Sequence, residues 1–247
     1  MFSNTRVLLN GLTDEEIKKK LNIYKFVGFH VIFVEYNFDF NFEFRAHLNK
    51  LQKLTTLKLV GKIAFHPVSI KDLKKKLQKV QNYKDFAISV VSNNKDILTF
   101  AANDSRIDII SFTNIENIKD LTPGLISLLK QFEKFFEISI IDILISHNNN
   151  RSRVFREVYK ILKLVNHNTK ILLFGGSERE NFYIRGPREI ISIFHSIFNL
   201  NLAQSKRIVR ENPSELMNRL ISRNNPDYLQ TGVEIVNRFK KKDKECG

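Results

Sequence analysis

Apolar residues at the start of the chain alternate between two kinds of spacing. A short apolar run from Val7 to Leu9 has the composition of a strand. Thr13 and Glu16 have the spacing of a capping box, which marks the start of a helix. The apolar residues that follow fall on one helical face, and they are Ile17, Leu21 and Tyr24. Gly28 ends this helix and residues 29–36 form a second apolar run, so the segment predicts a β-α-β unit.

The same alternation continues to residue 176. Further strands are predicted at 57–65, 85–91, 106–112, 136–141 and 170–176. Helices are predicted between them at 69–80, 95–103, 123–135 and 153–166. Residues 35–54 are rich in phenylalanine and are interpreted as a linker, without a firm register. About seven strands separated by helices predict a parallel sheet, either open or closed into a barrel.

The pattern changes after Gly176, where helices follow one another without a convincing strand. They are predicted at 187–198, 202–210 and 213–221, with Asn212 as the cap and Pro213 as the first residue of the last one. We interpret residues 1–223 as one domain. Residues 224–247 are polar with one apolar patch, "VEIVNRF", and are expected to form a flexible basic tail.

Composition indicates a globular protein with a basic surface. Hydrophobic residues make up 43% of the chain, which supports a packed core, and the formal net charge is +14. Residues 151–223 contain 14 basic and 6 acidic residues, so the positive charge is concentrated in the C-terminal half. This distribution favours a polyanionic partner such as nucleic acid, although a basic background shared by the whole proteome is the alternative explanation of the charge.

Cysteine content and hydropathy limit the setting of the protein. The single cysteine, Cys246, excludes an intramolecular disulfide and a cysteine-based metal site. No apolar run approaches the ~20 residues of a membrane span, and the first residues lack the pattern of a signal peptide. We therefore expect a soluble, cytoplasmic protein that does not bind membranes.

A search for catalytic motifs finds no complete one. The six histidines are scattered without metal-ligand spacing; His195 lies on an apolar helix face, and His66 is more suggestive because it ends a strand. Four carboxylates near predicted strand ends are candidates for acid-base catalysis or for ion pairs with lysine and arginine, namely Glu35, Asp39, Glu137 and Asp142. Gly175 and Gly176 precede Ser177 without the lysine of a phosphate-binding loop, which favours a tight turn.

The stretch "RGPR", residues 185–188, combines helix-start residues with two cations. Pro187 suits the first position of a helix and Glu189 suits its positive end, whereas Arg185 and Arg188 do not. A bound phosphate at this helix end would remove the conflict. Pairing of the arginines with Glu178 or Glu180 is the structural alternative.

Several stretches, in order, resemble one protein family. "SRIDIISFTN", "FFEISIIDIL", "KILLFGGSEREN" and "IRGPREIISIFHSIFNLNLAQSKRIVRENPSELMNRL" are similar to the archaeal protein component 3 of ribonuclease P, the homologue of the eukaryotic thirty-kilodalton subunit. The similarity covers roughly residues 5–222. Positions that match the family's pattern are Asp108, Glu137, Arg185, Pro187, Arg188, Ala203, Asn212 and Pro213, while Glu189 stands where the family usually has aspartate.

The resemblance implies an α/β fold, a seven-stranded TIM-like (β/α) barrel with additional C-terminal helices. It implies a relation to the metal-dependent PHP phosphoesterases without their metal ligands, so that the protein has no catalytic residue and binds no cofactor. It further implies a subunit of the ribonucleoprotein that removes the 5′ leader of precursor tRNA, in which the RNA is catalytic and requires Mg²⁺. The implied partners are the ribonuclease P RNA, a small RRM-like subunit in a dimer of heterodimers, the other ribonuclease P proteins and precursor tRNA.

We expect lysine and arginine side chains to bind the phosphates of that RNA. The candidates are Arg151, Arg153 and Arg156 after the sixth strand, Arg179, Arg185 and Arg188 after the seventh, and Lys206, Arg207 and Arg210. Since the first two groups follow strands, we expect them to share the C-terminal face of a barrel. Each is also consistent with a solvated surface charge. The alternative functions are a stand-alone metal-dependent phosphoesterase acting on nucleic acid and a barrel enzyme acting on small molecules.

Overall fold

Seven parallel strands form the centre of the molecule. A computed structural model describes residues 1–39, 42–112, 121–139, 148–165, 171–176, 180–224, 228–230 and 233–234. The strands are Ser3–Leu8 (β1), Val31–Asn37 (β2), Lys58–Phe65 (β3), Ala87–Val91 (β4), Ile109–Ser111 (β5), Phe135–Ser139 (β6) and Leu172–Gly175 (β7). They pair in chain order from β1 to β7, and every pairing is parallel.

Helices connect successive strands and cover the outside of the sheet. They are Asp14–Phe26 (α1), Phe44–Gln52 (α2), Ile70–Lys79 (α3), Lys95–Asn103 (α4), Pro123–Gln131 (α5), Asn148–Leu164 (α6), Pro187–Ser196 (α7), Leu202–Val209 (α8) and Glu211–Asn224 (α9). The capping box predicted for α1 is present, because Thr13 Oγ1 accepts the Glu16 N–H and Glu16 Oε2 accepts the Thr13 N–H. Among the described residues no helix is long and apolar enough to cross a membrane.

Side chains join the last strand to the first. Thr5 Oγ1 of β1 lies 2.6 Å from the carbonyl oxygen of Phe174 in β7. The amide of Gly176 donates to Asn4 Oδ1 at 2.9 Å. These bonds bring the two edges of the sheet together, so the strands form a nearly closed barrel and the predicted TIM-like fold is confirmed.

The barrel interior is apolar toward the N-terminal ends of the strands, and α9 closes it there. Leu216 and Leu220 of α9 belong to one buried cluster with interior residues of the strands, which are Val31, Phe33, Val60, Ala87, Ile109, Phe135 and Leu173. Asn212 Nδ2 also donates to the carbonyl of Leu172, the first residue of β7, at 2.6 Å. The last helix is therefore part of the core rather than an appendage.

Three local predictions from the sequence are wrong. The phenylalanine-rich segment contains α2, which begins without a side-chain cap and is held by aromatic contacts, such as Phe44 with Tyr36 at 5.5 Å between ring centroids. The last helix begins at Glu211, so Asn212 lies inside it and bonds to the barrel instead of capping. Two short strands, Tyr228–Gln230 (β8) and Val233–Glu234 (β9), pair antiparallel where no strand was predicted.

The predicted division into a domain at 1–223 and a tail at 224–247 stays a prediction. Most of that tail, including Cys246 and the greater part of "VEIVNRF", lies outside the described residues.

Candidate nucleic-acid interface

A cluster of buried charges lies toward the C-terminal ends of the strands. Lys62 Nζ is 2.9 Å from Glu35 Oε2 and 2.6 Å from Glu137 Oε2, and it donates to the carbonyl of Thr5 at 3.2 Å. Arg6 Nε bonds Glu35 Oε1 at 3.0 Å. This is the region in which TIM barrels place their catalytic residues. Here two cations and two carboxylates neutralise one another, so the carboxylates are ion-pair partners.

Two neighbouring cations keep the buried Glu35 carboxyl ionised. Burial by itself raises the pKa of the Glu35 carboxyl, but the charges of Lys62 and Arg6 and their hydrogen bonds outweigh it and hold that pKa below its usual range. Thr5 Oγ1 contacts Glu137 Oε1 at 2.7 Å. Both carboxylates are therefore bonded on more than one side. An acid-base catalyst needs a carboxyl group that can exchange a proton with a substrate, and this geometry does not favour one.

The other catalytic candidates have structural contacts, are exposed, or lie outside the described residues. The Gly176 amide donates to Asn4 Oδ1, and a Cβ on Gly175, the last residue of β7, would crowd Arg6 and Glu137. The predicted tight turn stays a prediction, because residues 177–179 lie outside the described residues. His195 Nδ1 lies 2.7 Å from the carbonyl of Leu200 at the end of α7. Asp39 is exposed and so is His66, while Asp142 and Ser177 lie outside the described residues. Within the described ranges no three His, Cys, Asp or Glu side chains are grouped for a metal ion.

The predicted RNA-binding residues divide between two ends of the barrel. Arg151, Arg153 and Arg156 are exposed on the first half of α6, the helix that follows β6 and therefore starts at the C-terminal face. Arg179 lies outside the described residues.

Arg185 and Arg188 lie at the opposite end. A Cβ on Gly186, between them, would be 2.7 Å from the carbonyl oxygen of Val27. Val27 ends α1, which leads into β2 and is therefore at the N-terminal end of the barrel. The expectation that these arginines share the C-terminal face with α6 is wrong. The physical reason is the length of the connection after β7, since residues 176–186 can span about 36 Å and return the chain to the other end.

The two arginines of "RGPR" differ in their contacts. Arg185 Nη1 donates to the carbonyls of Phe182 at 2.8 Å and Ile184 at 3.1 Å, so part of its guanidinium is committed to the local turn. Glu189 Oε2 lies beside Gly186, 2.6 Å from where a Cβ would be, and places a carboxylate at the positive end of α7. Arg188 is exposed in the first turn of α7. Glu189 therefore supplies an anion at this helix end, as its place in the sequence predicts.

The third predicted group lies at the same end as Arg188. Helices α7 and α8 are consecutive and packed together, and α8 ends next to Asn212, which contacts the start of β7. Lys206 and Arg210 are exposed, and Arg207 forms a half-exposed ion pair with Glu211 at 3.0 Å. We call the accessible cations among the predicted RNA-binding residues at this end the N-terminal rim, and they are Arg188, Lys206, Arg207 and Arg210.

Further cations near this end were not selected from the sequence, and two of them, Arg219 and Arg223, join α9 to the barrel. Arg223 pairs with Asp108, whose carboxylate also accepts the Ile88 amide at 3.0 Å. Arg219 Cζ lies 4.9 Å from the ring centroid of Phe135. Lys134 donates to the carbonyls of Asp104 and Ile107, and burial is the main cause that lowers its pKa to about 8. The family-like acidic position, Asp108, is thus an anchor for the last helix.

Comparison with known proteins adds to this geometry. A family model described as RNase P subunit p30 matches residues 1–225, which include the whole barrel and the helices through α9. One chain of a structure described as "cryo-EM structure of archaeal Ribonuclease P with mature tRNA" superposes with a TM-score of 0.76 at 17% sequence identity, over 99% of each chain. That likeness shows a shared fold. No curated protein sequence matches the chain significantly.

Proposed function

The chain belongs to the RNase P subunit p30 family, and we propose that it acts within ribonuclease P as a non-catalytic subunit that binds and stabilises RNA. In this proposal the RNA of the enzyme performs the removal of the 5′ leader from precursor tRNA and holds the Mg²⁺ ions of the reaction. The protein contributes lysine and arginine contacts to RNA phosphates, which are sequence-independent and release condensed counterions.

One observation carries the non-catalytic part of the proposal. The ammonium of Lys62 lies between Glu35 and Glu137, in the part of the barrel where related folds have their catalytic groups. Its contacts and those of Arg6 leave a cluster without net charge. A hydrolase of the phosphoesterase class needs carboxylates that are available to ions or water. In this chain they stabilise the barrel instead.

The surface supports the RNA-binding part. The N-terminal rim places four cations around the start of α7 and the end of α8. A second basic group, Arg151, Arg153 and Arg156, is at the other end of the barrel on α6. Two separated basic surfaces suit a subunit that contacts RNA at more than one place.

We also propose that the chain pairs with a small RRM-like protein subunit in a dimer of heterodimers, as the family resemblance implies.

The decisive experiment is a cleavage assay with precursor tRNA at low Mg²⁺. We expect no cleavage by the purified chain, with Mn²⁺ or Zn²⁺ as well as with Mg²⁺. We expect weak cleavage by the ribonuclease P RNA and stronger cleavage by the RNA with all protein subunits than by the same mixture lacking this chain. Cleavage by the chain alone would favour the phosphoesterase alternative. No difference on omitting the chain would contradict its stabilising role.

Replacing Arg188 with alanine is expected to weaken RNA binding mainly at low salt. Because each lost phosphate contact releases about one fewer counterion, the slope of log K against log salt should fall in magnitude by about one unit. The measurement is a salt titration with labelled ribonuclease P RNA. Arg188→Lys, which keeps the charge, should retain the slope. Lys75→Ala removes a charge from the exposed face of α3, across the barrel, and an equal effect there would contradict a specific contact at the rim.

A further inference from the structure

An exposed phenylalanine stands just before the N-terminal rim. Residues Asn181–Tyr183 form one turn of 3-10 helix between β7 and α7. The side chain of Phe182, at the middle of this turn, is 76% exposed. A large apolar ring in that position contributes little to the core.

The ring is nevertheless held by its neighbours. Tyr183 packs edge-on against it at 5.4 Å between centroids, and Arg185 Cζ lies 5.9 Å from the centre of the Phe182 ring. Arg185 is itself fixed by its two bonds to the carbonyls of Phe182 and Ile184. Ile184 is buried and anchors the end of the turn. The ring therefore needs little further ordering when a ligand binds, which lowers the entropic cost of binding.

We infer that Phe182, supported by Arg185, is a stacking site for an unpaired base of RNA. The inference rests on the proposed RNA-binding function. It goes further by stating that this end of the protein recognises unpaired bases of the RNA. An aromatic face stacks on any base, and the guanidinium adds a cation beside both π systems. Arg188 follows Pro187 in the first turn of α7 and would supply a cation for the phosphate next to such a base. Bases within a duplex are already stacked, so the site selects single-stranded segments.

The surroundings favour a base over a protein surface. Between residues 180 and 190, all of which the structure describes, Phe182 is the one large hydrophobic side chain that is strongly exposed. Its exposed neighbours along the chain are polar or charged, namely Glu180, Asn181, Arg188 and Glu189. Protein interfaces bury contiguous apolar area at their centres, and this stretch does not supply it.

The chain offers a matched control in Phe26, at the end of α1. Phe26 is 90% exposed and borders a shallow groove with Ile23, Lys18 and Lys19. It lies beside Val27, which contacts Gly186, so it is at the same end of the barrel. Among the described residues no ring and no cation packs against Phe26, in contrast to Phe182. The two positions thus differ in preorganisation rather than in exposure.

The test measures the affinity of the full chain for three labelled probes by fluorescence anisotropy. The probes are a single-stranded oligouridylate of about twelve nucleotides, an RNA duplex of the same length and an abasic oligomer with the same backbone. We expect Phe182→Leu to weaken binding of the single strand about fivefold or more, as the loss of one stacked base requires. Binding of the duplex and the abasic oligomer should not change. Phe182→Trp should restore the single-strand affinity, and Phe26→Leu should leave it within about twofold of the wild type.

Three results would overturn the inference. They are an unchanged single-strand affinity in Phe182→Leu, an equal loss on the abasic oligomer, and an equal loss in Phe26→Leu. Thermal unfolding of each variant shows that the fold is kept. A wild-type chain that binds none of the probes would overturn the proposed function together with this inference, whereas an unaffected Phe182→Leu variant overturns the inference alone.

Discussion

Replacing Lys62 with methionine is expected to lower the free energy of unfolding by about 3–5 kcal/mol, because it leaves two buried carboxylates without their shared cation. Lys62 is fully buried and its ammonium contacts both Glu35 and Glu137. Methionine fills much of the same volume, so the effect reports on charge more than on packing. Urea denaturation followed by circular dichroism measures the change.

The pH dependence of this variant gives an independent check. Without Lys62, only Arg6 opposes the effect of burial on Glu35, so the pKa of the Glu35 carboxyl in the folded state is lowered less than in the wild type. A carboxyl whose pKa is lowered less on folding contributes less to the loss of stability in acid, so the variant loses less stability than the wild type as the pH falls. The difference in the free energy of unfolding between the wild type and Lys62→Met should therefore become smaller as the pH is lowered from about 7 to about 5. Adding Glu137→Gln to the variant should recover part of the stability at neutral pH.

A surface pair provides the matched control for the buried cluster. Lys50 and Asp14 form an ion pair at 2.7 Å in which both side chains are more than half exposed. Lys50→Met should cost less than about 1 kcal/mol, since solvent screens such pairs. A similarly small cost for Lys62→Met would mean that the charges in the barrel are not the stabilising cluster described above.

Leu216→Ala is expected to destabilise the protein by about 2–5 kcal/mol, the cost of a large cavity in a core. Leu216 is fully buried in the cluster that α9 shares with the barrel interior. The strands around it are joined to one another, so the space cannot collapse easily. Equilibrium unfolding in urea measures the loss of stability. An unchanged slope of the unfolding free energy against urea concentration would show that the variant exposes as much surface on unfolding as the wild type.

Ile221 is the matched control on the same helix. Its side chain is 57% exposed, and Ile221→Ala should change the stability by no more than about 0.5 kcal/mol. Equal effects of the two substitutions would contradict the placement of α9 against the barrel.

Local signals in the sequence were sufficient for most of the framework. Thr13 with Glu16 located the start of α1, and the alternation of apolar runs with amphipathic segments located the strands and most helices. These signals are local because caps and helical periodicity involve residues within a turn or two of each other. The family resemblance supplied the barrel closure and the subunit role, which periodicity alone left open.

The arrangement of charges could not be predicted from such local signals. Lys62 stands in the middle of an apolar strand and pairs with Glu137, 75 residues away, so only the closed barrel reveals their contact. The end of the barrel at which Arg188 lies depends on the path of the long connection after β7, and connection length sets reach but not direction. Helix α2 was missed because its stabilising contacts are aromatic and tertiary, such as Phe44 with Tyr83 at 5.5 Å.

The position of α9 also bears on the order in which the chain folds during synthesis. The cluster inside the barrel includes Val31 from the second strand and Leu220 from the last helix. The apolar interior of the early strands therefore remains incomplete until the last helix has left the ribosome, and contacts this distant in sequence form slowly. A nascent chain that stops before residue 211 exposes the hydrophobic interior of its own barrel, which makes unfinished copies recognisable to chaperones and proteases.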